Sequence, residues 1–169
     1  MLADRLNLRV TSVEDLAIAC ARFHDFPFEL EAQRFDAASR TWTGHFLRGS
    51  DDPSRFVTRR WLRVFKVIHF PVIEVRVTIH DVVEAEIQDR AQIGCYTFRQ
   101  VHRTPAGCRF ELNQDCDILI AVDGALDAEV CDVGEVTDAH GTITSFGPVD
   151  FGIQVGAAAA PSAEEPDPW

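Results

Sequence analysis

The sequence predicts a mainly β fold: a twisted antiparallel sheet, arranged as a sandwich or partly open barrel of about nine strands, with one N-terminal helix. From residue 26 onward, apolar and polar residues alternate with the period of a half-buried strand. Turn residues recur at the spacing of about 8–12 residues that is typical of sandwiches and barrels. With 169 residues, 46% of them hydrophobic, the chain is long enough to bury a core without disulfide bonds.

The single helical pattern lies near the N-terminus. Thr11 and Glu14 have the spacing of a capping box, and the apolar positions that follow recur every three to four residues. This apolar stripe consists of Val13, Leu16, Ala17 and Cys20. The pattern predicts a helix that ends near Arg22, before the Phe-Pro pair at 26–27.

A tight connection at Phe70-Pro71 is predicted to join two strands, residues 60–69 and 72–80. In this register Leu62 faces Ile79 on an apolar surface, and a shift by one residue would mix apolar and polar side chains on both surfaces. This apolar surface and the matching faces of later strands form the predicted core, which consists of Leu62, Val64, Val75, Val77, Ile79, Phe98, Phe110, Ile118 and Ile120.

Residues 1–156 are predicted to form one β-rich domain. Within it, the section from Gly134 to Gly156 is less regular but still carries large apolar residues, so we expect an extra hairpin or an ordered arm there. Residues 157–169 are rich in alanine, proline and acidic residues, and this composition predicts a disordered tail.

Charge is distributed unevenly along the chain. The net charge is −11, with +2 on residues 1–70 and −13 on the remainder, and no Lys or Arg follows Arg109. Such a field repels nucleic acids and favours a basic protein partner. The acidic stretch 111–138 supplies the partner-binding candidates Asp127, Glu129 and Asp132. The alternative is that these acids only keep the surface soluble and prevent edge-to-edge strand pairing.

A second set of candidates lies on the polar surface of the predicted 60–80 hairpin. It consists of Arg63, Glu74, Arg76 and His80. These residues favour an alternative function, a small hydrolase or ligand-binding β domain that uses a polar sheet face. The chain contains no nucleophile elbow, P-loop or dinucleotide fingerprint, so the sequence favours a non-enzymatic interaction domain over an enzyme.

No metal or organic cofactor is predicted. The dipeptides His24-Asp25 and His80-Asp81 lack further residues at ligand spacing. Five cysteines, an odd number without a C-x-x-C pair, favour free thiols and a cytoplasmic location. No stretch approaches the roughly 20 apolar residues that a membrane span requires, so no membrane partner is predicted. The oligomeric state stays open.

Phe23-His24-Asp25 precedes an alternating segment, a turn and a returning strand that ends at Arg48. In this order the chain resembles a loose group of small bacterial β-rich proteins with an F-H-D before their first strand pair. Some members of that group are similar to immunity proteins of toxin systems, which bind and block a partner. The resemblance implies a β-rich fold and a binding role, and it assigns no functional residue.

Overall fold

The computed structural model describes residues 5–61, 64–94 and 96–157, and this part of the chain is β-rich with one α-helix, as predicted. All strand pairs among these described residues are antiparallel. The elements are β1 (Asn7–Val10), α1 (Val13–Cys20), β2 (Pro27–Phe28), β3 (Arg34–Asp36), β4 (Thr41–Gly49), β5 (Val57–Trp61), β6 (Phe65–Ile79), β7 (Val82–Asp89), β8 (Tyr96–Thr104), β9 (Gly107–Leu112), β10 (Cys116–Val122), β11 (Ala128–Phe146) and β12 (Val149–Ala157).

The strands of the described chain form two sheets. The large sheet has the order β1-β11-β6-β4-β3, with β12 paired to β11 and β5 paired to β6. The small sheet has the order β2-β8-β9-β10-β7. The chain crosses from β2 in the small sheet to β3 at the edge of the large sheet. This crossover forms one wall of the candidate site.

The core lies between one face of the large sheet and the small sheet. Ring contacts join the two layers, because Trp42 lies 5.1 Å from Phe110 and Phe46 lies 5.5 Å from Phe98. Seven predicted core residues are buried here, namely Val75, Val77, Ile79, Phe98, Phe110, Ile118 and Ile120. The prediction was wrong for Val64, which is 46% exposed, and Leu62 lies outside the described residues.

Helix α1 begins one residue later than the sequence indicated. Ser12, rather than Thr11, is the N-cap, and its hydroxyl oxygen accepts a hydrogen bond from the Asp15 N–H. Leu16 and Cys20 are fully buried, and the helix packs against β8. A single 3-10 turn follows at Ala21–Phe23, so the predicted helix end near Arg22 is confirmed within a few residues.

The predicted hairpin at Phe70-Pro71 is wrong, because β6 runs through both residues without a turn. Proline lacks an N–H, so it is normally excluded from a central strand. Here Pro71 pairs with His140 beside an irregularity in β11, where the ladder is interrupted after Glu135. The carbonyl of Pro71 accepts a hydrogen bond from Ser50. The missing N–H therefore falls where the ladder is already broken.

The far halves of β6 and β11 extend with β5 and β12 into an arm, which comprises residues 57–61, 64–70 and 140–157. Within the described chain, the main core cluster includes no residue of this arm. The expected extra hairpin is confirmed by the pairing of β11 with β12. Phe70 anchors the base of the arm by contacts with Phe26 and Phe56 at ring distances of 6.2 and 5.7 Å. Gly141 is required there, since a Cβ would overlap the Phe70 ring.

Candidate functional site

The outer face of the large sheet, which points away from the core, is polar. Side chains alternate along β4, so Trp42 and Phe46 face the core while Thr43 and His45 face outward. On the outer face Thr43 pairs with Thr78 of β6, and His45 pairs with Arg76. This alternation builds a polar floor on a rigid, well-packed sheet.

A groove of about 940 Å³ runs over this floor, and we call it the outer groove. One wall is the β2–β3 crossover, and the other consists of residues from the β11 irregularity and β12. The volume lies in the range of roughly 300–1,000 Å³ that is common for ligand sites. Its lining comprises Pro27, Glu29, Glu31, Ala32, Gln33, Arg34, Thr43, His45, Phe46, Leu47, Glu74, Arg76, Thr78, Val136, Ala139 and Val155.

A histidine–carboxylate pair lies on the floor of the groove. His45 Nδ1 is 2.6 Å from Glu74 Oε1, and both side chains are slightly more than one-third exposed. The two residues are diagonal neighbours on adjacent strands, since Glu74 pairs directly with Leu47. The carboxylate fixes the orientation of the imidazole ring and leaves its Nε2 edge free of this contact.

Four other charged side chains line the groove. Glu29 and Glu31 lie on the crossover wall, Arg34 follows them, and Arg76 lies on the floor. All four residues are exposed. Among the described residues, none of these four side chains forms an ion pair or a hydrogen bond through its charged group. The groove therefore presents uncompensated charges of both signs to a ligand.

The structure brings together only part of the predicted polar-face set. Glu74 and Arg76 both line the outer groove. His80 follows the end of β6 outside the groove lining, where its Nε2 lies 3.9 Å from Glu129 Oε1. Arg63 lies outside the described residues. Two of the four residues predicted on the polar surface thus line the outer groove, and their role in binding stays a prediction.

The three acidic candidates lie in different environments. Asp127 forms a double hydrogen bond with Arg9, at 2.8 Å for each contact, and this bond lowers the pKa of the carboxyl group. The Glu129 side chain is 50% exposed on the outer face. The Asp132 side chain is only 4% exposed, so the expectation that it contacts a partner is corrected. A buried, paired carboxylate offers no free charge to a second protein.

Asp132 is the partner of a buried arginine, Arg48. Two hydrogen bonds of 2.9 and 2.7 Å join the guanidinium group to the two carboxylate oxygens, and the Arg48 side chain is 2% exposed. The hydrogen bond to Asp132 raises the pKa of Arg48. Asp132 also accepts a hydrogen bond from the N–H of Leu6, and Arg48 contacts Asp51 at 2.8 Å. This network ties β4 and the N-terminal strand to β11.

Sequence reasoning missed His45, Glu29 and Glu31 as site residues. The signal for His45 was present, because His45 alternates with Trp42, Gly44 and Phe46 and must lie on the polar side of that strand. Nothing local indicated the two glutamates, since the segment 26–33 alternates like a strand but forms only a two-residue strand and a 3-10 turn. Their place beside β4 depends on the crossover between the sheets.

The described cysteines are poor nucleophile candidates. Burial raises the pKa of Cys108 to about 12 and that of Cys116 to about 11, and it raises the pKa of Cys20 further. Because the thiolate is the reactive form, these thiols stay protonated at neutral pH. Cys131 is half-buried on the outer face, where its thiol donates to Asn7.

We expect that in a Cys95→Ser variant only Cys131 reacts with a thiol reagent at pH 8 while the protein is native. Unfolding should release all four remaining thiols, because the protection of Cys20, Cys108 and Cys116 comes from burial. A colorimetric thiol count before and after addition of denaturant measures this. Rapid reaction of two or more thiols in the native protein would contradict the buried positions.

Within the described residues, no group of three or more His, Cys, Asp or Glu side chains has a geometry suited to holding a metal ion. His24 and Asp25 contact each other at 3.0 Å. Over the same part of the chain, no helix has the length and apolar composition that crossing a membrane requires. Comparison with protein-family models, curated proteins and solved structures gives no match to this chain.

Proposed function

We propose that this protein is a non-enzymatic binding domain that holds an extended basic segment of a protein partner in the outer groove. The observation that carries the proposal is the groove itself, about 940 Å³ over a rigid polar sheet face with unpaired carboxylates on one wall. A binding role also agrees with the toxin-immunity resemblance at Phe23-His24-Asp25. The protein would bind its partner in the cytoplasm, where free thiols remain reduced.

The charges of the groove support a basic partner. Glu29, Glu31 and Glu74 supply three carboxylates against the two guanidinium groups of Arg34 and Arg76. The chain as a whole carries −11, so its field attracts cationic segments at long range and more weakly as salt rises. The two arginines can donate hydrogen bonds to the backbone carbonyls or carboxylates of a bound segment.

Neutralising the crossover wall should weaken partner capture. We expect Glu29→Gln with Glu31→Gln to slow association about 3–10-fold at low salt, because exposed charges act mainly on the association rate. The measurement is capture of partners from a lysate of the native organism by immobilised protein, at about 50 and 500 mM salt, followed by kinetics with the captured partner.

The chain offers a matched control in Glu84→Gln with Glu86→Gln. These two glutamates are also exposed, also two residues apart, and lie on β7 of the small sheet, away from the groove. Both double variants change the net charge equally. Equal effects of the two would mean that only the overall field matters, and the outer groove would then not be the binding site.

A second function is favoured by the His45–Glu74 pair. A carboxylate that orients an imidazole is the arrangement of a general base, and a groove beside it can hold a substrate. We rank it second because, within the described residues, no hydroxyl or thiol is hydrogen-bonded to His45. The reaction class would be a hydrolysis in which His45 activates water.

One variant, His45→Asn, distinguishes the binding function from the hydrolase function. A hydrolase should lose activity by about 100-fold or more, because proton transfer contributes on the order of 10²–10⁴ to rate. A binding domain should keep partner affinity within a few-fold, since one neutral hydrogen bond contributes about 1 kcal/mol. Activity of the parent protein on ester and phosphoester substrates, lost in His45→Asn, would overturn the non-enzymatic proposal.

A further inference from the structure

One face of the arm carries several large apolar side chains and is uncovered within the described structure. On β6 the odd-numbered residues Val75 to Ile79 face the core, and the same side continues into the arm as Phe65, Val67 and His69. We call this side of the arm the arm face. Among the described residues, the core cluster contains no residue of the arm. The small sheet therefore covers only the part of β6 that carries Val75, Val77 and Ile79.

Strand register gives the other members of the arm face. Phe65 pairs with Phe146 of β11, with a ring distance of 4.8 Å, and Phe146 pairs with Val149 of β12. Phe151 lies two residues after Val149, so alternation along β12 places it on the same side, just before the irregularity in the ladder. The exposed fractions are 44% for Phe146, 52% for Val149 and 60% for Phe151. Several large apolar side chains exposed side by side mark an interaction surface.

We propose that the arm face is a self-association surface, on which a second copy of this chain packs with a two-fold axis parallel to the strands. The strand order β12-β11-β6-β5 then places the β5 strand of each copy over the β12 strand of the other. Face-to-face packing with strands nearly aligned is the usual geometry of two stacked sheets. The contact lies outside the outer groove, so it is separate from the proposed partner site.

The positive charge of Arg59 on β5 favours a two-fold axis parallel to the strands over one perpendicular to them. Arg59 pairs with Val67, which pairs with Thr144, and Thr144 lies opposite the irregular segment of β12 between Asp150 and Ile153, which contains Phe151. A two-fold parallel to the strands therefore sets Arg59 of each copy over the Phe151 ring of the other, a favourable cation–π pair. The other two-fold axis in the plane of the sheet places the β5 strands of the two copies over each other, with Arg59 of one copy close to Arg59 of the other. Contact between these like charges disfavours this second arrangement.

The size of the face predicts a weak dimer. Four strands about 4.8 Å apart, over roughly 20 Å of length, give about 400 Å² of flat area per copy. The total contact of about 800 Å² lies below the standard range of roughly 1,200–2,000 Å² for stable complexes. We expect a concentration-dependent dimer with a Kd of about 10–100 µM.

Sedimentation velocity of the full chain between about 1 and 300 µM tests the proposal. Phe151→Lys should raise the dimer Kd about tenfold or more, because a second cation would face Arg59. Phe151→Glu should raise it only about threefold, since glutamate can pair with Arg59 of the other copy. Non-specific charge effects predict the opposite order, because adding a positive charge reduces repulsion between two chains of net charge −11.

Val83→Lys and Val83→Glu are the matched controls, because Val83 is also 60% exposed but lies on β7 of the small sheet. Neither should change the Kd. Circular dichroism should show the same fold for all four variants, since both positions are on the surface. The proposal is overturned by a chain that stays monomeric throughout, which leaves the arm face to a different protein. The proposal is also overturned if neither Phe151 variant changes the dimer Kd, or if Phe151→Lys raises the Kd less than Phe151→Glu does.

Discussion

Arg48→Met should lower the free energy of unfolding by about 3–5 kcal/mol, because it leaves the carboxylate of Asp132 buried without its cation. Asp132 is 4% exposed, and two of its hydrogen bonds come from the Arg48 guanidinium group. The N–H of Leu6 would remain as a donor and could not replace the lost charge. Urea denaturation followed by circular dichroism measures the loss.

The matched control is Arg9→Met. Arg9 makes the same two-bond contact with Asp127, at 2.8 Å for each bond, but the Arg9 side chain is 69% exposed. An exposed pair contributes about 0–1 kcal/mol, so this variant should be nearly neutral. The double variant Arg48→Met with Asp132→Leu should recover much of the lost stability. Equal effects of Arg48→Met and Arg9→Met would contradict the buried position of the first pair.

Phe46→Ala should cost about 3–5 kcal/mol of stability, as expected for a large cavity in a packed core. Phe46 is 1% exposed and lies at the centre of an aromatic cluster. Its ring contacts are Phe28 at 4.7 Å, Phe23 at 5.2 Å, Phe98 at 5.5 Å and Phe110 at 5.8 Å. These contacts join β4 to the turn after α1 and to three strands of the small sheet, β2, β8 and β9, so one truncation affects packing in both sheets.

Phe46→Leu keeps most of the buried volume and should cost only about 1–1.5 kcal/mol, which gives a measurable value if Phe46→Ala fails to fold. Phe35→Ala is the surface control, because Phe35 is 36% exposed at the edge strand β3. Its expected cost is below about 1 kcal/mol. A loss for Phe46→Ala no larger than that for Phe35→Ala would contradict the central position of Phe46.

Local alternation predicted the core correctly where each strand has one buried face. Val75, Val77 and Ile79 are spaced by two and all face the small sheet, so the period alone identified them. The Phe70-Pro71 hairpin was wrong because a proline usually signals a turn. Whether a strand can continue through proline depends on the partner strand, and the irregularity of β11 opposite Pro71 lies far away in sequence.

The candidate site was less predictable than the core. Glu74 and Arg76 were predicted on a polar sheet face because such a face follows from the same alternation as an apolar one, and both line the outer groove. The burial of Asp132 could not be read from its surroundings in sequence, because its cation, Arg48, is 84 residues away. The acidic stretch was interpreted as one surface, whereas the fold divides it between an internal ion pair and exposed positions.

Site-specific photo-crosslinking is the most direct test of the outer groove as the binding site. A photoreactive amino acid at Thr43, on the groove floor, should give a crosslink to the partner in a lysate of the native organism. The same amino acid at Val83, exposed on the small sheet, should give none. Loss of the Thr43 crosslink with Glu29→Gln and Glu31→Gln would link it to the groove charges. A partner crosslinked from Val83 and never from Thr43 would contradict the proposed site.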